Sequence, residues 1–339
     1  MDKPTVTIRT LAKQLQLSVS TISKALGDSH EISSETKRKV LELASSLNYT
    51  PNPYASSLRK RKSKTIGVII PEVVNSFFSQ AINGVESVAK EKGYHVLIYL
   101  THENFENEKA ILKDFESGRV DGVLLSVSRE TMHCAHITEL ISKNVPVIFF
   151  DRVFNEVDTV KVTTNDFESA YTATKHLIKS GCKKPHFVSI RGHLNIISSR
   201  LEGFKKALEE HHIKFSNASI IECTTDWEYN CKALRKRLQS PERPDGLLCS
   251  IENLSVVIYK VCEDLDIKIP GNLQIISFSN LDTASFLNPP LTTVTQPAYE
   301  IGKTAAAILV KALQKKSFII SNETIVIPSV LCRRKSTKK

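Results

Sequence analysis

Short apolar runs alternate with amphipathic segments between residues 65 and 278. Runs such as 66–70 and 246–249 are typical of strands that are buried on both faces of a sheet. The segments between the runs, such as 78–92 and 200–210, carry apolar residues at helical spacing. Strands that alternate with helices predict doubly wound parallel sheets. Because the alternation forms two similar series, we expect an α/β body made of two lobes.

Three short helices are predicted ahead of this body, within residues 1–50. Thr7 can cap a first helix, whose apolar face consists of Ile8, Leu11, Ala12 and Leu15. Ser18 can cap a second helix, and Gly27 is placed to end it in the left-handed conformation. A third helix is expected from about residue 33 to 48. The tight turn between the first two predicts a helix-turn-helix head, all α, whose second helix enters the DNA major groove. A plain three-helix bundle is the alternative.

The second predicted helix presents small hydroxyl groups and one cation on its outward side. These side chains can reach base edges and phosphates without steric obstruction. They belong to Ser20, Thr21, Ser23 and Lys24.

The positive charge of the chain is concentrated at its two ends. Residues 1–64 hold twelve Lys and Arg against five Asp and Glu, and residues 333–339 add five basic residues. The residues between them hold 29 basic and 31 acidic side chains, although the net charge of the whole chain is +10. A localised basic head predicts a polyanion as partner. The basic tail is expected to be a solvated, disordered end.

The order of these pieces resembles the LacI/GalR family of bacterial repressors over essentially the whole chain. The residues that carry the resemblance are 17–26 (LSVSTISKAL), 47–52 (LNYTPN) and 55–59 (ASSLR). The resemblance implies that Val19, Ser20 and Lys24 hold the base-reading positions. It also implies that 52–59 form a hinge helix that orders on operator DNA, with Leu58 as an apolar wedge in the minor groove and Arg59 beside it. The candidate DNA contacts are therefore Thr7, Val19, Ser20, Thr21, Ser23, Lys24, Asn52, Ala55, Leu58 and Arg59.

Loops that follow the predicted strands are the expected place for a ligand, because open α/β sheets bind ligands at the carboxyl ends of their strands. Acidic and basic side chains with aromatic neighbours suit a polyol, which needs paired hydrogen bonds and a flat apolar surface. The resemblance places a periplasmic-binding-protein-like cleft here. Its candidate effector-binding residues are Phe77, Phe78, Asp151, Arg152, Arg200, Trp227, Glu252 and Ser279.

Three positions depart from the family's pattern. Ile251-Glu252 replaces the common Asn-Asp after one strand, and Ser279-Asn280 replaces an Asp after the next. These changes put the usual sugar contacts of the second lobe in doubt. Gln16 stands in the turn where the family has Gly or Asn, and a left-handed Gln would cost roughly 1 kcal/mol.

The predicted domains are a DNA-binding head (1–50), a hinge helix with a basic linker (51–64), an effector-binding and dimerisation core (65–332) and a basic tail (333–339). Within the core, the first lobe is expected at about 65–160 and 292–320, and the second at about 161–291 and 321–332. The chain should cross between lobes near 150–161, near 288–294 and near 321. Helix 299–313 should return to the first lobe, and strand 324–328 to the second.

Several other classes of protein are disfavoured. The seven cysteines are scattered and form no CxxC pair, which argues against disulfides and structural zinc. His133, Cys134 and His136 are better explained as a polar helix face than as metal ligands. We find no GxGxxG, GxxxxGK[ST], GxSxG or HExxH motif, so no enzymatic activity, metal or cofactor is expected. The sequence shows neither an apolar run long enough to span a membrane nor a signal peptide, so the expected location is the bacterial cytoplasm.

The sequence thus predicts a homodimeric transcriptional regulator, most simply a repressor, that binds double-stranded operator DNA. A sugar-like effector in the cleft would control its operator affinity. Two alternatives for the control signal are a phosphorylated metabolite, which Arg152 and Arg200 would also suit, and a protein co-regulator. A sugar-binding transport receptor is a remote alternative, because it would need export and would have no use for a basic head.

Overall fold

The computed structural model describes residues 6–50, 63–192, 194–315 and 321–338. The chain divides into two compact units, Met1–Ser63 and Lys64–Lys339, which we call the head and the body.

The head contains the three predicted helices, α1 (Ile8–Leu15), α2 (Val19–Leu26) and α3 (Ser34–Ser46). One fully buried residue from each helix, Leu11, Ile22 and Val40, forms the centre of its core. The hydroxyl oxygen of Ser18 accepts a hydrogen bond from the Thr21 backbone N–H at 3.0 Å, so the predicted cap of α2 is confirmed. Capping and a shared apolar centre together fix three helices that would be too short to persist alone.

Two left-handed residues shape the turns of the head. Gln16 adopts φ 52° and ψ 37° between α1 and α2, as expected for this tight turn. The prediction for Gly27 was wrong, because Gly27 has φ −90° and the left-handed residue is Asp28, with φ 52°. Asp tolerates this conformation better than most side chains, and Lys37 Nζ contacts Asp28 Oδ1 at 2.6 Å.

The first lobe of the body is built on a parallel sheet with the strand order β11-β5-β4-β3-β1-β2. Its strands are β1 (Thr65–Ile70), β2 (His95–Leu100), β3 (Gly122–Leu125), β4 (Val147–Phe150), β5 (Lys161–Thr163) and β11 (Thr324–Val326). Its helices are α4 (Ser76–Glu91), α5 (Phe105–Phe115), α6 (Ala135–Ser142) and α11 (Ala298–Gln314). Apolar clusters lie on both faces of this sheet, which explains the continuous apolar runs of β1, β3 and β4.

The second lobe repeats this architecture on a sheet with the strand order β12-β10-β9-β8-β6-β7, in which only the β10–β12 pair is antiparallel among the described strands. Its strands are β6 (Pro185–Ile190), β7 (Ile220–Cys223), β8 (Gly246–Cys249), β9 (Gln274–Phe278), β10 (Thr292–Thr295) and β12 (Val330–Cys332). Its helices are α7 (Asp166–Lys179), α8 (Asn195–Glu210), α9 (Trp227–Leu238) and α10 (Glu252–Asp264). The predicted pair of doubly wound lobes is therefore confirmed.

The chain passes between the lobes at 164–165, 296–297 and 327–329, later than predicted each time. β5 and β10 complete their own sheets before the chain crosses, which moves the first two crossings. The assignment of strand 324–328 to the second lobe was wrong, because β11 pairs with β5 in the first sheet. Two of the crossings are bonded to each other, since Asn165 Oδ1 accepts a hydrogen bond from the Ser329 N–H at 2.8 Å.

Helix α11 returns to the first lobe, as predicted, and packs closely against α4. A Cβ atom at Gly84 would lie 2.0 Å from the backbone oxygen of Tyr299, and one at Gly302 would lie 2.0 Å from that of Ala81. The two helices therefore approach backbone to backbone, which requires glycine at both positions. This contact fixes α4, whose N-terminus faces the cleft described below.

The C-terminal tail is ordered against the second lobe through residue 338, so the expectation of a solvated end was wrong. Ser336 and Thr337 are buried, and the Ser336 hydroxyl donates to the Ile275 carbonyl at 2.6 Å. Arg334 Nη1 donates to the Leu291 carbonyl at 2.7 Å. Composition suggested disorder, but backbone partners on β9 and β10 hold the tail. Among the described residues, no helix is long and apolar enough to span a membrane.

Candidate DNA-binding surface and effector cleft

The outer face of α2 carries the predicted DNA-reading side chains. Ile22 and Ala25 are buried in the core, whereas Val19 and Ser20 are exposed. Val19 is 43% exposed. An exposed valine of this kind can contact a thymine methyl group in the major groove. Thr7, at the N-cap of α1, is also exposed.

Two polar residues of α2, Thr21 and Lys24, already have partners within the head. The Thr21 hydroxyl lies 2.8 Å from the Ser18 hydroxyl, so it supports the cap as well as facing outward. Ser23 is half-buried. Lys24 Nζ forms an ion pair with Glu31 Oε2, in the loop after α2. Glu31 was missed in the sequence, because it lies in the loop after α2, where no helical periodicity relates it to Lys24.

Four candidate DNA contacts, Asn52, Ala55, Leu58 and Arg59, lie outside the described residues. Their assignment to a hinge helix stays a prediction.

The two lobes enclose a cleft at the carboxyl ends of their strands, with a free volume of about 30 Å³. Phe77 and Phe78 come from the first turn of α4, and Asp151 and Arg152 follow β4 directly. From the second lobe, Arg200 projects from α8. The structure brings together seven of the eight candidate residues: Phe77, Phe78, Asp151, Arg152, Arg200, Glu252 and Ser279.

Arg152 is buried and held by a carboxylate of its own lobe. Its Nη1 donates to Glu103 Oε2 at 2.8 Å, and its guanidinium carbon lies 5.6 Å from the centre of the Phe78 ring. Its Nε has no hydrogen-bond partner, and Asp151 Oδ2 lies 3.8 Å from it. One N–H of this guanidinium is therefore open to an acceptor in the cleft.

Arg200 has the same arrangement in the second lobe. Its Nε donates to Asp166 Oδ1 at 2.6 Å, and its Nη1 donates to the Ser250 carbonyl. The guanidinium carbon lies 3.9 Å from the centre of the Phe278 ring. Its buried Nη2 has no hydrogen-bond partner. Each lobe thus contributes a paired arginine with an aromatic contact and an unsatisfied donor.

Burial raises the pKa of Asp151 to about 6, against the opposing effect of the charges of Arg152 and Arg200. Burial also raises the pKa of Glu103, but the charge and hydrogen bond of Arg152, together with the backbone hydrogen bond and charge of Arg129, outweigh it, so that its net pKa is lowered. The carboxyl groups of Glu103 and Asp151, which both lie beside Arg152, therefore differ in charge near pH 6. Asp151 is the group whose charge a ligand can change.

Glu103, Asp166 and Asn280 were not predicted to belong to the cleft. Asp166 could have been found, because it opens α7 and is an acid in the first turn of a helix. Glu103 sits in the loop between β2 and α5 with φ 60°, and no sequence pattern marks it. Asn280 was noted only as a departure from the family.

Trp227 does not line this cleft. It opens α9, capped by Asp226, and is 49% exposed. It lines a neighbouring cavity of about 350 Å³, which also contacts Glu72 and shares Ile251 with the cleft.

A family model described as bacterial regulatory proteins, lacI family, matches residues 7–52. A periplasmic binding protein domain model matches residues 66–239, and a periplasmic binding protein-like domain model matches residues 174–337. A helix-turn-helix head followed by a two-lobed body of this fold defines a class of DNA-binding transcriptional regulators. The chain belongs to the LacI family of bacterial regulatory proteins.

Relatives match along nearly the whole chain. The ribose operon repressor of Halalkalibacterium halodurans is 32% identical and covers 98% of this chain and 97% of its own length. Catabolite control protein A of Priestia megaterium is 28% identical and covers 98% of this chain and 99% of its own length. A LacI family regulator from Enterococcus faecium with bound ribose is 26% identical and superimposes with a TM-score of 0.72, covering 81% of this chain and 98% of that one.

Proposed function

We propose that this regulator represses transcription in the bacterial cytoplasm and that a neutral polyhydroxylated metabolite, a sugar or sugar derivative, binds in the cleft and changes its affinity for operator DNA. Binding would alter the relation of the two lobes, and a coupling of about 1 to 3 kcal/mol is typical of such control.

The charge arrangement of the cleft carries this proposal. Arg152 is paired with Glu103, and Arg200 is paired with Asp166, so neither guanidinium brings uncompensated positive charge. Asp151 and Glu252 add two further carboxyl groups. A sugar hydroxyl can accept a hydrogen bond from a free guanidinium N–H and donate one to Asp151, which matches the groups that are present.

The same arrangement disfavours the phosphorylated metabolite that the two arginines first suggested. A phosphate would enter a buried cleft whose two arginines, Arg152 and Arg200, are already paired with carboxylates, and whose lining adds the carboxyl groups of Asp151 and Glu252. Its desolvation would then lack a compensating charge. The relatives favour a sugar as well, since one is named for the ribose operon and a solved family member holds ribose.

A homodimer is the proposed active form, with two heads on a pseudo-palindromic operator. Strand β2 lies at the outer edge of the first sheet, where Leu97 and Ile98 are exposed. An apolar sheet edge is normally covered, and a second copy of the chain is the partner that the family suggests. Sedimentation of the native protein and of Ile98→Glu tests this, because a dimer through β2 should dissociate in the variant.

The DNA function is tested by selecting bound sites from a random duplex library. We expect a two-fold symmetric consensus and an affinity that falls steeply with salt as phosphate charges are neutralised. Failure to enrich any sequence, with or without metabolites, would contradict the proposal.

The effector class is tested by thermal denaturation with pentoses, hexoses, their phosphates and nucleobases. A ligand at 100 times its dissociation constant adds about 2.7 kcal/mol, which raises the melting temperature by several degrees. We expect stabilisation by a free sugar, and its loss in Asp151→Asn but not in Glu202→Gln, an exposed control on α8. Stabilisation by a sugar phosphate, but not by the free sugar, would show that the charge argument is wrong.

A further inference from the structure

Glu252 of the second lobe bonds directly to the first lobe. It is the first residue of α10 and is buried, and its two carboxyl oxygens accept from different backbone amides. Oε1 accepts from the Ser76 N–H at 2.7 Å, and Oε2 accepts from the Asn280 N–H at 3.1 Å. Ser76 is the first residue of α4, where free N–H groups favour a negative partner. One side chain therefore joins the N-termini of helices from opposite lobes.

A second contact joins the lobes beside it. The side-chain amide of Gln80 bonds to both the side chain and the backbone of Asn280: Asn280 Nδ2 donates to Gln80 Oε1 at 2.9 Å, and Gln80 Nε2 donates to the Asn280 backbone carbonyl at 3.2 Å. Asn280 is also fixed to a crossing segment, because its Nδ2 donates to the Gln296 carbonyl at 2.7 Å. The side chain and backbone of Asn280 thus connect α4, Glu252 and the crossing segment at 296–297.

Both contacts come from residues that follow neighbouring strands of the second lobe. Glu252 lies just beyond β8 and Asn280 just beyond β9, so both face the carboxyl-end side of the second sheet. The cleft that they close has a free volume of about 30 Å³, far less than the ~300 to 1,000 Å³ of an ordinary small-molecule site. The chain's own side chains therefore satisfy the helix N-terminus across the cleft.

We propose that Glu252 and Asn280 form a latch that holds the two lobes closed without an effector. Opening the lobes would leave the Ser76 N–H, the Glu252 carboxyl group and the Gln80 amide to find new partners. The latch biases the open–closed equilibrium toward closure before any metabolite binds. An effector that needs an open cleft must release it, and one that binds the closed form gains affinity from it. This last step depends on the proposed effector control, whereas the latch itself does not.

The latch is tested by amide hydrogen exchange on the full-length protein without DNA or metabolites. In the native protein, we expect the amides of Ser76 and Asn280 to be protected. Glu252→Gln offers only one acceptor oxygen and turns an N–H group toward a donor. We expect exchange at both amides to become at least about tenfold faster.

Gln80→Ala is the decisive variant, because Gln80 is half-buried and bonds to neither of the two reporting amide hydrogens. If the contacts act as one latch, losing Gln80 must also speed exchange at Ser76. Glu263→Gln is the matched control for Glu252→Gln, since Glu263 is exposed on the same helix, α10, and pairs with Lys260. We expect it to leave exchange at Ser76 and Asn280 unchanged.

Unchanged exchange at Ser76 in Gln80→Ala would overturn the proposal, because it would show two independent contacts. If Glu252→Gln fails to fold, as judged by circular dichroism, the Gln80 variant still decides. A failure of sugars to bind would contradict the proposed function and leave this result standing. If exchange at Ser76 and Asn280 stayed slow in every variant, the latch would be refuted, and the proposal of effector binding would not be affected.

Discussion

The head and the cleft each contain an ion pair at the functional surface, and the two pairs are built in opposite ways. In the head, the Lys24 and Glu31 side chains are 36% and 53% exposed. In the cleft, those of Arg200 and Asp166 are 2% and 7% exposed. An exposed pair contributes little to stability and can be exchanged for a contact with an external partner. A buried pair cannot lose one member without leaving an unpaired charge in the interior.

This difference separates two ways of making a binding surface. The head offers weakly held groups on a small, independently packed core, so its residues can be replaced with little effect on folding. The cleft offers groups that are pre-oriented by buried partners, so folding and recognition depend on the same side chains. Pre-orientation lowers the ordering cost of ligand binding.

The largest expected effect is the loss of stability in Arg200→Met. The substitution keeps much of the side-chain volume but leaves Asp166 buried without its partner, which should cost about 3 to 5 kcal/mol. The matched change in the head, Lys24→Met, should cost less than about 1 kcal/mol. Urea denaturation of both variants, followed by circular dichroism, measures the difference.

Equal destabilisation of the two variants would break the comparison. The double variant Arg200→Met/Asp166→Asn sharpens it, because removing the stranded charge should restore part of the loss. Lys24→Met should nevertheless weaken operator binding. The operator affinity of Arg200→Met is measured separately, under conditions where this variant is folded.

Asp151→Asn is expected to stabilise the body above pH 6. Burial raises the pKa of Asp151 to about 6, from an ordinary value near 3.8, so ionisation of this group opposes folding. The stability that comes from keeping the buried Asp151 carboxyl group protonated is fully present below pH 3.8 and is lost as the pH rises through about 6. Asparagine removes this dependence and also accepts the left-handed backbone of residue 151, whose φ is 61°.

The difference in unfolding free energy between Asp151→Asn and the native protein should therefore grow from pH 4 to pH 6 and stay constant above it. It should reach at most about 3 kcal/mol. Denaturation across this pH range measures it. Sugar affinity should show the opposite trend in the native protein, rising with pH as Asp151 ionises and becomes a stronger hydrogen-bond acceptor. A pH-independent difference would mean that Asp151 keeps its ordinary pKa.

Local patterns in the sequence predicted most of the architecture, because helix caps and apolar periodicity act over a few residues. Ser18, Ile22 and the alternation of strands with helices are examples. The pairing of β5 with β11 could not be read in this way, since each strand has three residues and the two lie far apart in the chain. A strand this short carries no period that distinguishes it from a loop.

The cleft shows the same limit. Asp151 and Arg152 were found because they follow an obvious strand. The partners Glu103 and Asp166, and the contact of Glu252 with Ser76, depend on how separate elements meet in space. The ordered tail was missed for a similar reason, because lysine and arginine predict solvation while the backbone bonds of Ser336 decide its position.

Glu31→Gln carries the smallest expected effect and tests whether the head's pair is indeed exchangeable. The pair with Glu31 holds Lys24 when DNA is absent, so the carboxylate competes with operator phosphates and base edges for the ammonium group. We expect the variant to bind the selected operator about two- to five-fold more tightly at low salt, with a steeper salt dependence, because Lys24 is then free to contact the DNA. Fluorescence anisotropy measures both quantities. Glu42→Gln is the control, since it changes the charge of the head equally while Glu42 pairs with Arg38 on α3. Weaker binding by Glu31→Gln would instead mean that Glu31 positions Lys24 for the DNA, so that the head, like the cleft, depends on a pre-oriented ion pair.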